Sequence, residues 1–114
     1  MTADTDTFYL KRGDRLPKMR RPLLGPDGLA LDLTTASGVV MHMRNRDGGA
    51  VKITAGACAI IAPPTGGVVE YAWAATDTDT AGTFEAEFEV TFSGLKMTVP
   101  NASNVSVRIG EDIA

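Results

Sequence analysis

Hydrophobic and polar residues alternate along the chain, most regularly from Gly82 to Phe92. Aromatic and aliphatic residues take every second position there, and glutamate or threonine occupies the positions between them. Successive side chains of a β-strand point to opposite faces, so the pattern predicts a strand with one apolar and one acidic face. At helical spacing the same residues would be scattered around the whole cylinder. The apolar face comprises Phe84, Ala86, Phe88, Val90 and Phe92, and the acidic face includes Glu85, Glu87 and Glu89.

Shorter stretches of similar character predict further strands along most of the chain. Clusters of glycine, proline, asparagine and aspartate separate them, and no window has the spacing of an amphipathic helix. The pattern therefore predicts about eight short strands. Among these are residues 7–11, 30–33, 39–44, 51–54, 57–62, 68–74, 95–99 and 105–109. Residues 16–24 contain two prolines and are predicted to be extended or at a sheet edge.

This succession of elements favours an all-β fold of two packed antiparallel sheets, with a barrel as the alternative. With 114 residues the chain is predicted to be a single domain, residues 1–114, large enough to bury a core without disulfides. The polar, acidic residues 1–6 are expected to be a disordered tail, and they lack the features of a secretory signal. The centre of the core is predicted to contain Tyr71, Trp73, Phe84, Phe88 and Phe92.

Few residues have the types and spacing that catalysis or metal binding requires. The single cysteine, Cys58, lies in a run of small apolar residues and is interpreted as a buried structural residue. The single histidine, His42, is interpreted as a solvent-facing or interface residue rather than a general base. No group of cysteines and histidines suits zinc. We therefore expect no enzymatic activity and no cofactor.

Two groups of carboxylates invite a chemical interpretation. Asp77, Asp79 and Gly82 match the first, third and sixth positions of a calcium-binding loop. The fifth and twelfth positions are Ala81 and Phe88, so a turn between strands is favoured. The second group is the acidic row, defined as Glu85, Glu87 and Glu89. Its carboxylates are spaced by about 7 Å along one strand, which is typical of a solvated face or of like charges that block unwanted sheet contacts.

The formal net charge of −3 conceals an asymmetry between the two halves of the chain. Residues 1–57 carry a net charge of +3, and residues 58–114 carry −6. Six of the eleven basic residues form what we term the basic segment: Lys11, Arg12, Arg15, Lys18, Arg20 and Arg21. A solvated surface, a contact with the acidic part of a neighbouring subunit, and a nucleic-acid groove are the alternatives, in that order. We expect neither nucleic acid nor a membrane as partner.

Several segments, taken in order, resemble the N-terminal domain of the phage upper baseplate protein family and its stand-alone phage and prophage tail relatives. The resemblance covers about residues 7–109 and is carried by Phe8–Pro17, Asp27–Thr34, Val39–Arg44, Gly67–Thr78, Ala81–Phe92 and Met97–Pro100. It implies an immunoglobulin-like antiparallel β-sandwich that acts as a virion structural module, without enzymatic activity or a cofactor, and that is often oligomeric. Family members continue into a platform for receptor-binding proteins, whereas this sequence ends at Ala114.

The predicted function is that of a non-enzymatic tailed-phage virion structural protein that docks by protein–protein contacts at the tail or baseplate. The expected partners are other virion proteins, at the tail or baseplate hub or at the capsid, and further copies of the chain. The protein would be made in the bacterial host cytoplasm and reside in the virion. One alternative is a capsid decoration or head–tail joining protein, and another is a carbohydrate-binding module on a fibre. The predicted docking residues are those of the basic segment, with the acidic row of a neighbour as their acceptor.

Overall fold

The fold is nearly all β, as the computed structural model shows for residues 7–99, 105–111 and 113. The expected disorder of residues 1–6 lies outside this described part. Eight strands are present, and the one helical turn among the described residues is a 3-10 turn at Pro64–Gly66. The strands are β1 (Thr7–Lys11), β2 (Met19–Pro22), β3 (Ala36–Asn45), β4 (Val51–Ile60), β5 (Val68–Tyr71), β6 (Gly82–Phe92), β7 (Leu95–Val99) and β8 (Val105–Gly110). The all-β prediction of about eight strands is confirmed.

The eight strands form one mixed sheet that folds into a compact, nearly barrel-like shape. Its order is β1-β8-β6-β3-β4-β5-β2, and β7 also pairs with β6. The long strand β6 lies at the centre. One of its edges pairs with β3 over residues 84–92, and the other pairs with β8 over residues 82–86 and with β7 over residues 88–92. Strands β7 and β8 therefore lie end to end along the same edge of β6.

Strand β4 carries the chain from one layer of the fold to the other. Its residues up to Ala57 pair with β3, and Cys58 to Ile60 pair with β5. The part that pairs with β3 contains a β-bulge at Ala55, which has a φ of 54°. The predicted strands 51–54 and 57–62 are thus one continuous bent strand, because the bulge interrupts the alternation of side chains without ending the pairing.

Three further predictions differ from the observed structure. Residues 30–33 form no strand. Ala30 makes an isolated bridge with Leu24, and the N–H groups of Leu31 and Leu33 bond to the carbonyls of Leu23 and Pro64 instead of to a neighbouring strand. The strand predicted over 68–74 ends at Tyr71, because the Ala74 N–H donates to the side chain of Asp77 and the chain turns there. The pairing of β1 with β8 is parallel, unlike the expected antiparallel pattern. Nearly the whole chain separates these strands, so no short hairpin dictates their direction.

The core lies between the layers, on the apolar face of β6. Alternate residues of this strand from Phe84 to Val90 are buried, as the sequence pattern predicts. Tyr71 and Trp73 are also buried, with their rings 5.4 Å apart at an interplanar angle of 87°. This edge-to-face geometry adds a favourable interaction of about 1 kcal/mol to the burial of the rings. Phe92 is partly buried and packs against the cluster, so it borders the core instead of lying at its centre.

Candidate interaction surface

The acidic row lies on the outer face of β6, where basic residues of neighbouring strands surround it. Glu85 accepts from Nε of Arg44 on β3 at 2.5 Å. An oxygen of Glu89 lies 3.7 Å from Nε2 of His42 and 3.7 Å from Nζ of Lys96. Within the described part of the chain, Glu87 forms no ion pair. The predicted contact of this row with a neighbour therefore competes with pairs that the chain already makes, each worth up to about 1 kcal/mol at an exposed position.

A shallow cleft of about 370 Å³ opens beside the acidic row, between β3, β4 and β6. Arg44, His42, Glu85 and Glu87 contribute polar atoms to its wall, and Thr54 adds a hydroxyl. The arrangement offers both donors and acceptors to a polar group of a partner. The described residues contain no cluster of three or more histidine, cysteine, aspartate or glutamate side chains that could hold a metal ion.

Half of the basic segment is held in place by contacts within the chain. Nε of Arg15 donates to the carbonyl of Trp73 at 2.9 Å, which ties the β1–β2 loop to the end of β5. The guanidinium of Arg20 donates twice to one carboxylate oxygen of Glu70, at 3.0 and 3.2 Å. The guanidinium carbon of Arg21 lies 5.5 Å from the ring centroid of Phe8. This cation–π contact helps cover the core where β1 and β2 approach each other.

The other three members of the basic segment lie at the surface with weaker contacts. Nε of Arg12 is 3.5 Å from the carboxylate of Glu111, and Nζ of Lys11 is 3.5 Å from the carbonyl of the same residue. Lys18 is exposed and makes no ion pair with any residue that the structure describes. The segment thus spreads over β1, the following loop and β2, and it does not form one continuous charged stripe.

His42 serves the bulge of β4, a role that the sequence did not indicate. Its Nδ1 accepts a hydrogen bond from the Ala55 N–H at 3.1 Å. Ala55 is the residue with positive φ at the bulge, where the regular ladder between β3 and β4 is interrupted. Because Nδ1 is the acceptor, the neutral imidazole carries its proton on Nε2, the nitrogen that faces Glu89.

Replacing His42 with alanine is expected to lower the free energy of unfolding by about 0.5 to 1 kcal/mol, because the Ala55 N–H loses the acceptor that fixes the bulge. Urea denaturation followed by tryptophan fluorescence measures this change. Lys96→Ala is the control, since it removes the other side-chain nitrogen beside Glu89 without touching the bulge. Equal effects of the two substitutions would assign the role of His42 to its contact with Glu89 instead of to the bulge.

Cys58 lies on β4 opposite Tyr71, half-buried between the layers. Its thiol is 3.6 Å from the carbonyl of Gly56, to which it donates. Burial raises the pKa of the Cys58 thiol to about 12. The thiol therefore stays protonated at neutral pH, in agreement with its interpretation as a structural residue.

Iodoacetamide is expected to alkylate Cys58 in the folded protein at least about a hundredfold more slowly than a free cysteine at pH 8, because the thiolate is the reactive species. Mass spectrometry of timed samples measures the rate. The same reaction in concentrated urea provides the control and should proceed at the rate of a free cysteine. A folded-state rate close to the unfolded one would contradict the raised pKa of Cys58.

The loop that follows β5, for which the sequence predicts a turn between strands, contains the buried polar residues Asp77 and Thr78. Oδ2 of Asp77 accepts from the Tyr71 hydroxyl at 2.6 Å and from the Ala74 N–H at 2.7 Å. The hydroxyl of Thr78 donates to the carbonyl of Asp14 at 2.9 Å, so the loop is also fastened to the β1–β2 loop. Asp79 is exposed and pairs with Nζ of Lys52 at 2.5 Å. The carboxylates of Asp77 and Asp79 thus accept hydrogen bonds from different groups of the protein, and they do not share a donor.

Large exposed apolar side chains occur in and beside β1, a region in which the sequence indicates only the basic segment as a docking surface. Tyr9 is 68% exposed and Leu16 is 70% exposed. Both line a groove of about 500 Å³, which we term the β1 groove, together with Leu10, Pro17, Lys11, Asp14, Arg108 and Gly110. The alternation of Tyr9 with its buried neighbour Leu10 is the sequence signal that could have placed the tyrosine outside the core.

Compared with known proteins, the sequence matches no family model and no curated protein. None of the described residues belongs to a helix long and apolar enough to cross a lipid bilayer.

Proposed function

We propose that this protein is a non-enzymatic structural component of a tailed-phage virion, and that it docks at the tail or baseplate by protein–protein contacts. The observation that carries the docking role is the pair of large exposed apolar residues, Tyr9 and Leu16, lining one groove with Lys11 and Arg108. Aromatic and arginine residues are enriched at protein interfaces, where they supply contact area and oriented hydrogen bonds.

The resemblance to the upper baseplate protein family supports the assignment to a phage particle. Its segments lie in β1, β3, β5, β6 and β7 and in the loops between them, so they cover both layers of the fold. Sugar recognition is less well supported. Tyr71 and Trp73 are buried, and the exposed ring of Tyr9 lies in its groove among charged and aliphatic side chains.

The direct test of this function is the composition of purified particles. Phage particles would be induced from the bacterium that encodes the chain, purified by density gradient, and analysed by quantitative mass spectrometry and by immunogold electron microscopy. We expect the chain at a fixed ratio to the major tail proteins and gold label at the tail tip. Absence of the chain from intact particles would overturn the virion role, and label on the shell would assign it to the capsid.

Charge reversal in the basic segment is expected to lower incorporation into particles. Reversing Arg20 and Arg21 to Glu is the broadest form of the test, but Glu at position 20 would also face Glu70. Lys18→Glu avoids this repulsion, and we expect it to lower incorporation about tenfold and to reduce the salt sensitivity of attachment. Lys96→Glu, on β7, is the matched control for net charge. If both the Lys18 and the Arg20/Arg21 variants are incorporated unchanged, the basic segment is not part of the interface.

A further inference from the structure

Strand β1 is one end of the sheet, and its outer edge pairs with no strand in the part of the chain that the structure describes. Its one strand partner among the described residues is β8. The Arg12 N–H donates to the carbonyl of Gly110 at 2.7 Å, so alternate residues before it, including Leu10, direct their peptide groups toward β8. By the same alternation, the N–H and C=O of Tyr9 point away from β8 toward the open edge. The carbonyl of Lys11, which has the same orientation, accepts from the Asp14 N–H at 3.0 Å.

The opposite end of the sheet carries more features that discourage pairing than β1 does. Strand β2 contains Pro22, which cannot donate a hydrogen bond, and two arginines. Strand β7, which also has an open edge, carries Lys96 at its second position. In β1 the residues Phe8, Tyr9 and Leu10 precede a single terminal lysine. Natural sheets normally protect such an edge unless it pairs with something.

The chemistry of the β1 groove indicates what would pair there. Tyr9 is in register with Arg108, so their side chains share the outer face of the sheet, as does that of Lys11. Three apolar residues, Leu10, Leu16 and Pro17, also line the groove. Lys11 and Arg108 contribute two positive charges to the lining, and Asp14 contributes one negative charge. An added strand would therefore meet both cations and apolar side chains.

We propose that the open edge of β1 binds an extended segment of a partner protein in which apolar residues alternate with carboxylates. The segment hydrogen-bonds to the peptide group of Tyr9, directs its carboxylates toward Lys11 and Arg108, and places its apolar residues against Leu16. This mode of recognition takes affinity from main-chain hydrogen bonds and specificity from alternate side chains. The proposal deepens the docking role above and rests on it.

A capped peptide of about six residues, with valine and glutamate in alternation, is a suitable probe. Titration into the isotope-labelled full chain, followed by amide NMR spectra, should shift the resonances of β1 and of residues 14–17. A peptide with lysine in place of glutamate should bind at least tenfold more weakly, because its charges face Lys11 and Arg108. Shifts confined to β2 or β7, or equal binding of the two peptides, would overturn the assignment of the site.

Three variants separate main-chain from side-chain recognition. Tyr9→Pro removes the outward N–H while leaving the bonds between β1 and β8, and we expect it to abolish binding. Tyr9→Thr keeps the N–H and should weaken binding only a few-fold. Equal loss in both would show that the ring matters and that no strand is added. The double reversal Lys11→Glu with Arg108→Glu should lower affinity for the glutamate peptide at least tenfold, with Lys96→Glu as the control. Unfolding curves establish that each variant is folded.

Two outcomes separate this proposal from the virion role. If the chain is present in particles and Tyr9→Pro is incorporated normally, the β1 edge is not the docking site although the virion role stands. If the peptide binds as described and the chain is absent from particles, the edge site stands and the virion role fails. The chain could instead pair with itself, which sedimentation would detect. If the chain self-associates and Tyr9→Pro abolishes the self-association, the edge of β1 binds a second copy and not a different protein.

Discussion

Gly67→Ala is expected to lower the free energy of unfolding by about 3 kcal/mol or more, the largest effect that we expect from a single methyl group in this chain. Gly67 follows the 3-10 turn with a φ of 69°, a conformation that costs a non-glycine residue about 1 kcal/mol. An added Cβ would also lie 2.7 Å from the carbonyl oxygen of Leu31 and 2.9 Å from that of Leu23. Both atoms belong to the backbone, so neither can rotate away.

The contact at Gly67 joins three separate parts of the backbone. The Leu23 N–H donates to the carbonyl of Gly67 at 2.7 Å, and the Leu31 N–H donates to the carbonyl of Leu23 at 2.9 Å. Any movement that relieves the clash would lengthen these hydrogen bonds. The cost of the methyl group therefore includes weakened bonds as well as the direct contact.

Two other glycines provide matched controls for Gly67→Ala. Gly94 has a φ of 81° with open space around its missing Cβ, so Gly94→Ala isolates the conformational cost. Gly66 also has open space and no positive φ, so Gly66→Ala should be nearly neutral. Urea denaturation followed by the fluorescence of Trp73 would rank the three variants. If Gly67→Ala cost no more than Gly94→Ala, the close approach of the three backbone segments would be contradicted.

Asp77→Ala is expected to lower the free energy of unfolding by about 2 to 4 kcal/mol. The substitution leaves the buried Tyr71 hydroxyl and the part-buried Ala74 N–H without the carboxylate oxygen that both use. Asp79→Ala is the matched control two residues away. Asp79 is exposed, so its pair with Lys52 contributes up to about 1 kcal/mol.

Tyr71→Phe completes a double-mutant cycle with Asp77→Ala. The double variant should be destabilised by about 1 kcal/mol or more less than the sum of the two single variants, because one hydrogen bond joins the two side chains and either substitution removes it. Chemical denaturation of the four proteins measures it. Additive effects would mean that Asp77 acts through the Ala74 N–H alone. An effect of Asp77→Ala as small as that of Asp79→Ala would contradict the buried role of this carboxylate.

The sequence predicts the strands whose two faces have clearly different environments. The alternation in β6 is uninterrupted because one face packs on the core and the other meets water and basic side chains. Residues 30–33 have a similar pattern, and Leu33 is indeed buried, yet they form no strand. The hydrophobic pattern indicates which side chains are buried in the core. It does not report whether the backbone bonds to a neighbouring strand or, as for Leu33, to the carbonyl of Pro64.

The candidate surface was only partly accessible to sequence reasoning. The clustering of the basic residues is visible in the chain, but the pairing of Arg20 with Glu70 depends on the contact between β2 and β5. The β1 groove could not be predicted, because it requires that β1 be the end of the sheet and that the loop containing Leu16 lie beside it. Strand order of this kind is set by packing across the whole domain.

The parallel pairing of β1 with β8 has a mechanical consequence. Thr7 is in register with Ser106, and Lys11 with Gly110, so the start of β1 and the end of β8 lie at opposite ends of this strand pair. Tension applied between Thr7 and Gly110 would slide the two strands past each other and load all their hydrogen bonds together, instead of opening them one at a time. Strands in this shear geometry resist force better than strands that peel apart.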